Sequence, residues 1–117
     1  MGDKGDLTWK EFEKVDMRVG TIIQVDDFPE ARKPAYQLTI DFGEIIGIRK
    51  SSAQITKRYT KDNLVNRQIV AVVNFPKKQI GKKFMSECLV LGALGKDDGD
   101  VILLSPESKI ENGLKIS

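Results

Sequence analysis

Two stretches of this chain alternate apolar and polar residues with a period of two, which commits it to a β-rich fold. Met17, Val19, Ile23 and Val25, with Thr21 in the same row, form the first; Tyr36, Leu38, Ile40 and Phe42 form the second. Successive side chains of a strand point to opposite faces, so each row predicts a strand buried on one side. Asp26-Asp27-Phe28-Pro29 ends the first, and Gly43-Glu44 turns the second into a third strand over Ile45 to Lys50. Gln68 to Phe75, rich in β-branched residues, is too continuous for a one-sided strand, so it belongs in the sheet centre or is covered on both faces.

Helical signals are short. Thr8 with Glu11 makes a capping box ahead of Trp9, Phe12 and Val15, which recur on one face until Asp16. Ser51 or Ser52 is placed to cap an internal helix through Ile55, Tyr59 and Leu64, with Asn66 near its end. After Pro76 a basic loop, Lys77 to Lys83, leads into a fifth strand over Met85 to Leu91. A turn-rich connection, Gly92 to Gly99, then precedes a short apolar strand from Val101 to Leu104. Three strands, a helix and two more strands is the order of the OB barrel. The expected fold is therefore all-β: a five-stranded OB-fold barrel with a short internal helix, an N-terminal helix and a C-terminal extra strand. At 117 residues it reads as one domain, with an N-terminal extension over 1–15, the barrel over 16–92 and a C-terminal extension over 93–117.

Composition narrows the chemistry. There is no histidine and one cysteine, Cys88, so no internal disulfide and none of the usual zinc-ligand sets can form; no metal and no cofactor are expected. Cys88 sits among apolar neighbours in a strand setting and reads as an inert thiol, and no enzyme activity is expected. No apolar run is long enough to span a membrane, and the polar, flexible start from Met1 to Asp6 carries no signal-peptide pattern, so a cytoplasmic location is expected. The net charge of +2 hides an asymmetry: Arg49 to Lys83 holds ten cations against the single acid Asp62, a net +9. Such a segment can track a phosphate backbone or ring an apolar surface.

The candidate binding residues follow. Arg49, Lys50, Lys57, Lys77, Lys78, Lys82 and Lys83 supply charge. Ser51, Ser52, Gln54 and Ser86 supply hydrogen-bonding groups, and Phe28, Phe75, Phe84 and Met85 supply apolar or stacking surface.

Asp16-Met17-Arg18-Val19-Gly20-Thr21-Ile22 resembles the D-x-R-V-G-x-I opening of the tRNA-binding-domain family. Phe28 to Tyr36, Ser51 to Thr56, Asn74-Phe75-Pro76 and Met85-Ser86-Glu87 resemble its CsaA-type branch. The resemblance implies an OB fold, a homodimer built by the terminal extensions, and a chaperone role toward unfolded or export-bound polypeptides. tRNA is an alternative and compatible partner, and the protein export machinery a further one. The apolar residues outside the barrel, Trp9, Phe12, Val101, Ile102, Leu103 and Leu104, are the expected dimer interface. One difference stands out: the tRNA-binding relatives tend to carry Gly-Met just after the serine of the last-strand loop, whereas here Ser86 is followed by Glu87-Cys88-Leu89.

Overall fold

The computed structural model describes residues 5–117, so Met1 to Lys4 of the expected flexible start lie outside the described residues. Thr8 caps a short helix, α1 (Trp9–Glu13), and both halves of the expected capping box form. A long strand follows, β1 (Met17–Asp27), then β2 (Tyr36–Asp41). Next come a single helical turn, α2 (Gly43–Ile46), and β3 (Ile48–Ala53). A second one-turn helix, α3 (Lys61–Leu64), leads into β4 (Gln68–Val72). The chain ends in five short strands: β5 (Lys78–Ile80), β6 (Phe84–Ser86), β7 (Leu89–Val90), β8 (Gly92–Leu94) and β9 (Val101–Leu103).

The main sheet runs β3-β2-β1-β4-β7 and is antiparallel throughout. It curls until β3 meets the β6–β7 junction, where the Glu87 amide donates to the Lys50 carbonyl at 2.7 Å and the Glu87 carboxylate accepts the Lys50 amide at 3.0 Å. This closure makes the OB barrel, and Leu38, Ile40, Phe42, Ile22, Ile69 and Leu64 fill it.

Six sequence expectations need correction, two of them simply: the basic loop expected over Lys77 to Lys83 contains β5, and the connection expected over Gly92 to Gly99 begins as β8, paired with β9. The row assigned to the first strand changes face part-way, because a bulge at Ile23 shifts the pairing between Ile22 and Gln24. Ile22 and Val25 therefore enter the core while Ile23 is 42% exposed, and Val19 is buried on the opposite face. The residues Ile45 and Ile46 belong to the α2 turn, leaving Ile45 97% exposed, and the third strand begins at Ile48. Ser51 and Ser52 cap no helix: they lie in β3, paired with Leu38 and Gln37, and the internal helix is capped by Thr60 through its own capping box with Asn63. Asn66 follows it at φ 71, the left-handed conformation asparagine tolerates after a helix. Finally, the expected fifth strand is broken at Glu87 and Cys88. Its first part, β6, pairs with β5 in a separate hairpin and its second, β7, pairs with β4.

The expectation for the Gln68 to Phe75 run holds for its first five residues: β4 lies between β1 and β7 and is buried on both faces from Ile69 to Val72. The C-terminal segment is stitched to the barrel. Gln68 exchanges two hydrogen bonds with the Ile110 backbone, Thr21 donates to Asn112, and residues 113–116 hydrogen-bond to the first half of β1 opposite β4.

Candidate functional site

The hairpin of β5 and β6 stands on the barrel closure. Lys78 pairs with Ser86 and Ile80 with Phe84, which places these four residues on one face of the hairpin, with Gln79 and Met85 on the other. Ile80 and Phe84 pack on Phe28, Ala31 and Ala35 in a small second cluster, where the Phe28 and Phe84 rings stand 5.2 Å apart. The hairpin is thereby anchored to the loop between β1 and β2.

Between the hairpin root and β7 lies a groove of about 450 Å³ lined by Phe75, Pro76, Lys77, Lys78, Ser86, Cys88 and Leu89. Phe75 is 55% exposed and Leu89 48% exposed, and with Pro76 they give this one groove a contiguous apolar lining. Asn74 fixes the Phe75 turn from the other side: its side chain accepts the Asp16 amide at 3.0 Å and donates to the Lys14 carbonyl. Cys88 forms part of the floor. Burial pushes its thiol up to about 12, in spite of the opposing Arg49 charge, so the floor behaves as an apolar surface.

Of the residues named from sequence, the groove collects Phe75, Lys77, Lys78 and Ser86. Lys82 and Lys83 stand at the hairpin tip, and Lys50 is exposed on β3 beside the closure. Lys77 reaches the Glu87 carboxylate at 3.4 Å; among the described residues Lys50, Lys78, Lys82 and Lys83 form no ion pair. The others lie elsewhere. Phe28 is buried under the hairpin against Phe84 on the hairpin's inner face, Ser51 is buried in the barrel wall, and Ser52 is half-buried on the neighbouring position. Arg49 donates to the Val73 carbonyl at 3.1 Å and so holds the end of β4. Met85 is exposed on the hairpin's other face, and Gln54 and Lys57 line a separate depression with Lys33, Pro34 and Asp98. The sequence reading missed Pro76 and Leu89. Leu89 carries a legible signal, an apolar residue at the outward position between Cys88 and Val90.

Part of the +9 segment is neutralised locally, Arg58 by Asp100 and Lys61 by Asp27. In each case the carboxylate partner raises the affinity of the base for its proton, and Arg58 in turn lowers that of Asp100.

Among the proposed interface residues, Trp9 is 80% exposed and packs edge-on against Phe12. Together with Val15 and Ile116 they border an open apolar depression. Val101, Ile102 and Leu104 are half-buried or exposed, but Leu103, only 7% exposed, is part of the barrel core, with its amide donating to the Tyr59 hydroxyl. Its side chain is already spent inside one chain.

The family described as "Putative tRNA binding domain" matches residues 17–115. The chaperone CsaA from Bacillus anthracis superposes with a TM-score of 0.89 at 50% identity, over 97% of this chain and 100% of that one. The CsaA chaperone protein from Picrophilus torridus gives 0.87 at 54% identity, over 96% and 100%. The methionine–tRNA ligase of Thermococcus onnurineus is 36% identical over 111 residues, 94% of this chain, and the chain spans 14% of that ligase's length.

Proposed function

Because the chain belongs to the tRNA-binding-domain family, in its CsaA-type branch, we propose that it is a non-catalytic, cytoplasmic chaperone that holds unfolded or export-bound polypeptides. The observation that carries this reading is the groove in which Phe75, Pro76 and Leu89 offer exposed apolar surface. An extended segment with an apolar side chain seats there. Covering the exposed halves of Phe75 and Leu89 is worth about 2 to 3 kcal/mol. A micromolar complex needs about 8 kcal/mol, so one groove binds weakly and broadly. Two grooves on a homodimer raise the effective affinity without new contacts. In this reading residues 1–117 act as one domain, and the terminal extensions, through Trp9, Phe12, Val101, Ile102 and Leu104, join the two copies. The export machinery is the natural receiver of a polypeptide held in this way.

A second reading, tRNA binding, is favoured by Lys50, Lys78, Lys82 and Lys83, which have no carboxylate partner among the described residues. Phosphate contacts by these side chains release counterions and make affinity fall steeply with salt. Titrating the protein with a permanently unfolded polypeptide and with bulk tRNA, at low and high salt, separates the two. The chaperone reading expects polypeptide binding that survives salt. Binding of tRNA alone, lost on adding salt, would replace it with the second reading, and binding of neither would remove both.

A further inference from the structure

We propose that the groove selects polypeptides whose apolar anchor is flanked by acidic residues; this rests on the polypeptide-binding reading and names the substrate class of the same site. The groove lining contains no acid, and its polar members are Lys77, Lys78 and Ser86. Behind them the carboxylate of Glu87, which stands between the lining residues Ser86 and Cys88 in sequence, is already engaged twice, by the Lys50 amide and by the Lys77 ammonium. A basic residue in a bound polypeptide therefore meets like charge and an occupied acid.

An acidic residue meets the opposite. Lys78 stands on the groove wall, and the hairpin continues from it through Ile80 and Gly81 to Lys82 and Lys83. At about 3.3 Å per residue β5 carries the chain roughly 7 Å from Lys78 to Ile80, and the turn over 81–83 places the tip about 10 Å beyond Lys78. An extended polypeptide that leaves Phe75 and Leu89 along the hairpin would bring its third residue or the next to that tip. The spacing is also close to the ~10 Å screening length at 0.1 M salt, so the tip lysines act on the flank of a bound segment more than on its centre. On the other side Lys50 projects outward from β3, opposite in phase to the buried Ser51. The apolar floor supplies adhesion, and the lysines around it decide which flanks are accepted.

Three fluorescent peptides with one common apolar core, flanked by glutamates, glutamines or lysines, test this by anisotropy. The Glu-flanked peptide is expected to bind about tenfold tighter than the Lys-flanked one at low salt, the gap closing as salt is added. The K78E/K82E/K83E variant, altered only at exposed positions, is expected to reverse the order. Equal affinities for all three peptides would overturn charge selection while leaving the groove reading intact. Binding of none would overturn the groove reading itself. Displacement of the Glu-flanked peptide by unlabelled acidic peptide but not by oligouridylate supports the proposal; binding of oligouridylate with no peptide bound would assign the lysines to RNA and end it.

Discussion

Gly20 has no room for a side chain: a Cβ there would stand 2.7 Å from Ile40 and from the Phe42 ring. The motif that carries the family resemblance is, around this glycine, a packing device. Asp16 pairs with Arg18 at 2.6 Å, and Arg18 also donates to the Gly113 carbonyl at 3.0 Å. Thr21 holds Asn112 at 2.7 Å. Arg18 and Thr21 tie the C-terminal segment to β1, and Asp16 reaches the groove only indirectly, through its amide on Asn74 behind Phe75, so the motif shapes the scaffold and lines none of the groove. Gly20→Ala is expected to cost about 1 to 3 kcal/mol through overpacking, read as a lower urea midpoint. Cys88 gives a second prediction. Its thiol, ordinarily near 9.0, is pushed up to about 12 by burial. The unfolded chain therefore loses this proton first, and the Cys88 contribution makes stability fall as pH climbs from 9.0 toward 12 while doing nothing below that window. Alkylation of the native protein at mildly alkaline pH should be slow and should accelerate on unfolding; fast native labelling would place the thiol in solvent. Its inertness was legible from its apolar neighbours. The fate of Phe28 and Phe84 was not, since two aromatics in separate loops reveal their 5.2 Å pairing only when the hairpin folds over.

At the scale of elements, periodicity located the strands and misjudged their joints. Tyr36, Leu38, Ile40 and Phe42 alternate without interruption, and Leu38, Ile40 and Phe42 all enter the core as expected. In β1 a single extra residue, Ile23, reverses the phase, and no local pattern distinguishes a bulge from a continued strand. The split of the fifth strand has a cause far along the chain: Glu87 leaves the ladder to bond the Lys50 backbone with both its amide and its carboxylate. A bond across that separation has no signature in a short window. Ser51 and Ser52 looked like caps because hydroxyls before a helical run usually are, yet the strand pairing of β3 with β2 absorbs both. Glu87→Ala should release the Lys50 amide and cost about 1 to 3 kcal/mol. Hydrogen exchange at Lys50 and across β7 should rise more than across β1 and β2. A uniform rise would mean that Glu87 is not the closure of the barrel.

For the molecule as a whole, two apolar surfaces lie at different places on the barrel. One is the groove by the hairpin; the other surrounds Trp9, Phe12 and Ile116 beside the C-terminus. The two share no lining residue, so a dimer built through the second need not bury the residues that line the first. Light scattering should give twice the 13.1 kDa of one chain, and Trp9→Ala should move the mass toward the single chain without abolishing the fold. A single-chain mass for the unaltered protein would remove the dimer, and with it the gain from two grooves. The central claim, that polypeptide binds at the Phe75–Leu89 groove, is tested most directly by amide NMR shifts during titration with an unfolded polypeptide. The expected result is a cluster of shifted amides over 75–78 and 86–89, weakened by Phe75→Ala. Shifts gathered around Lys57 or Trp9, with residues 75–78 and 86–89 unmoved, would contradict it.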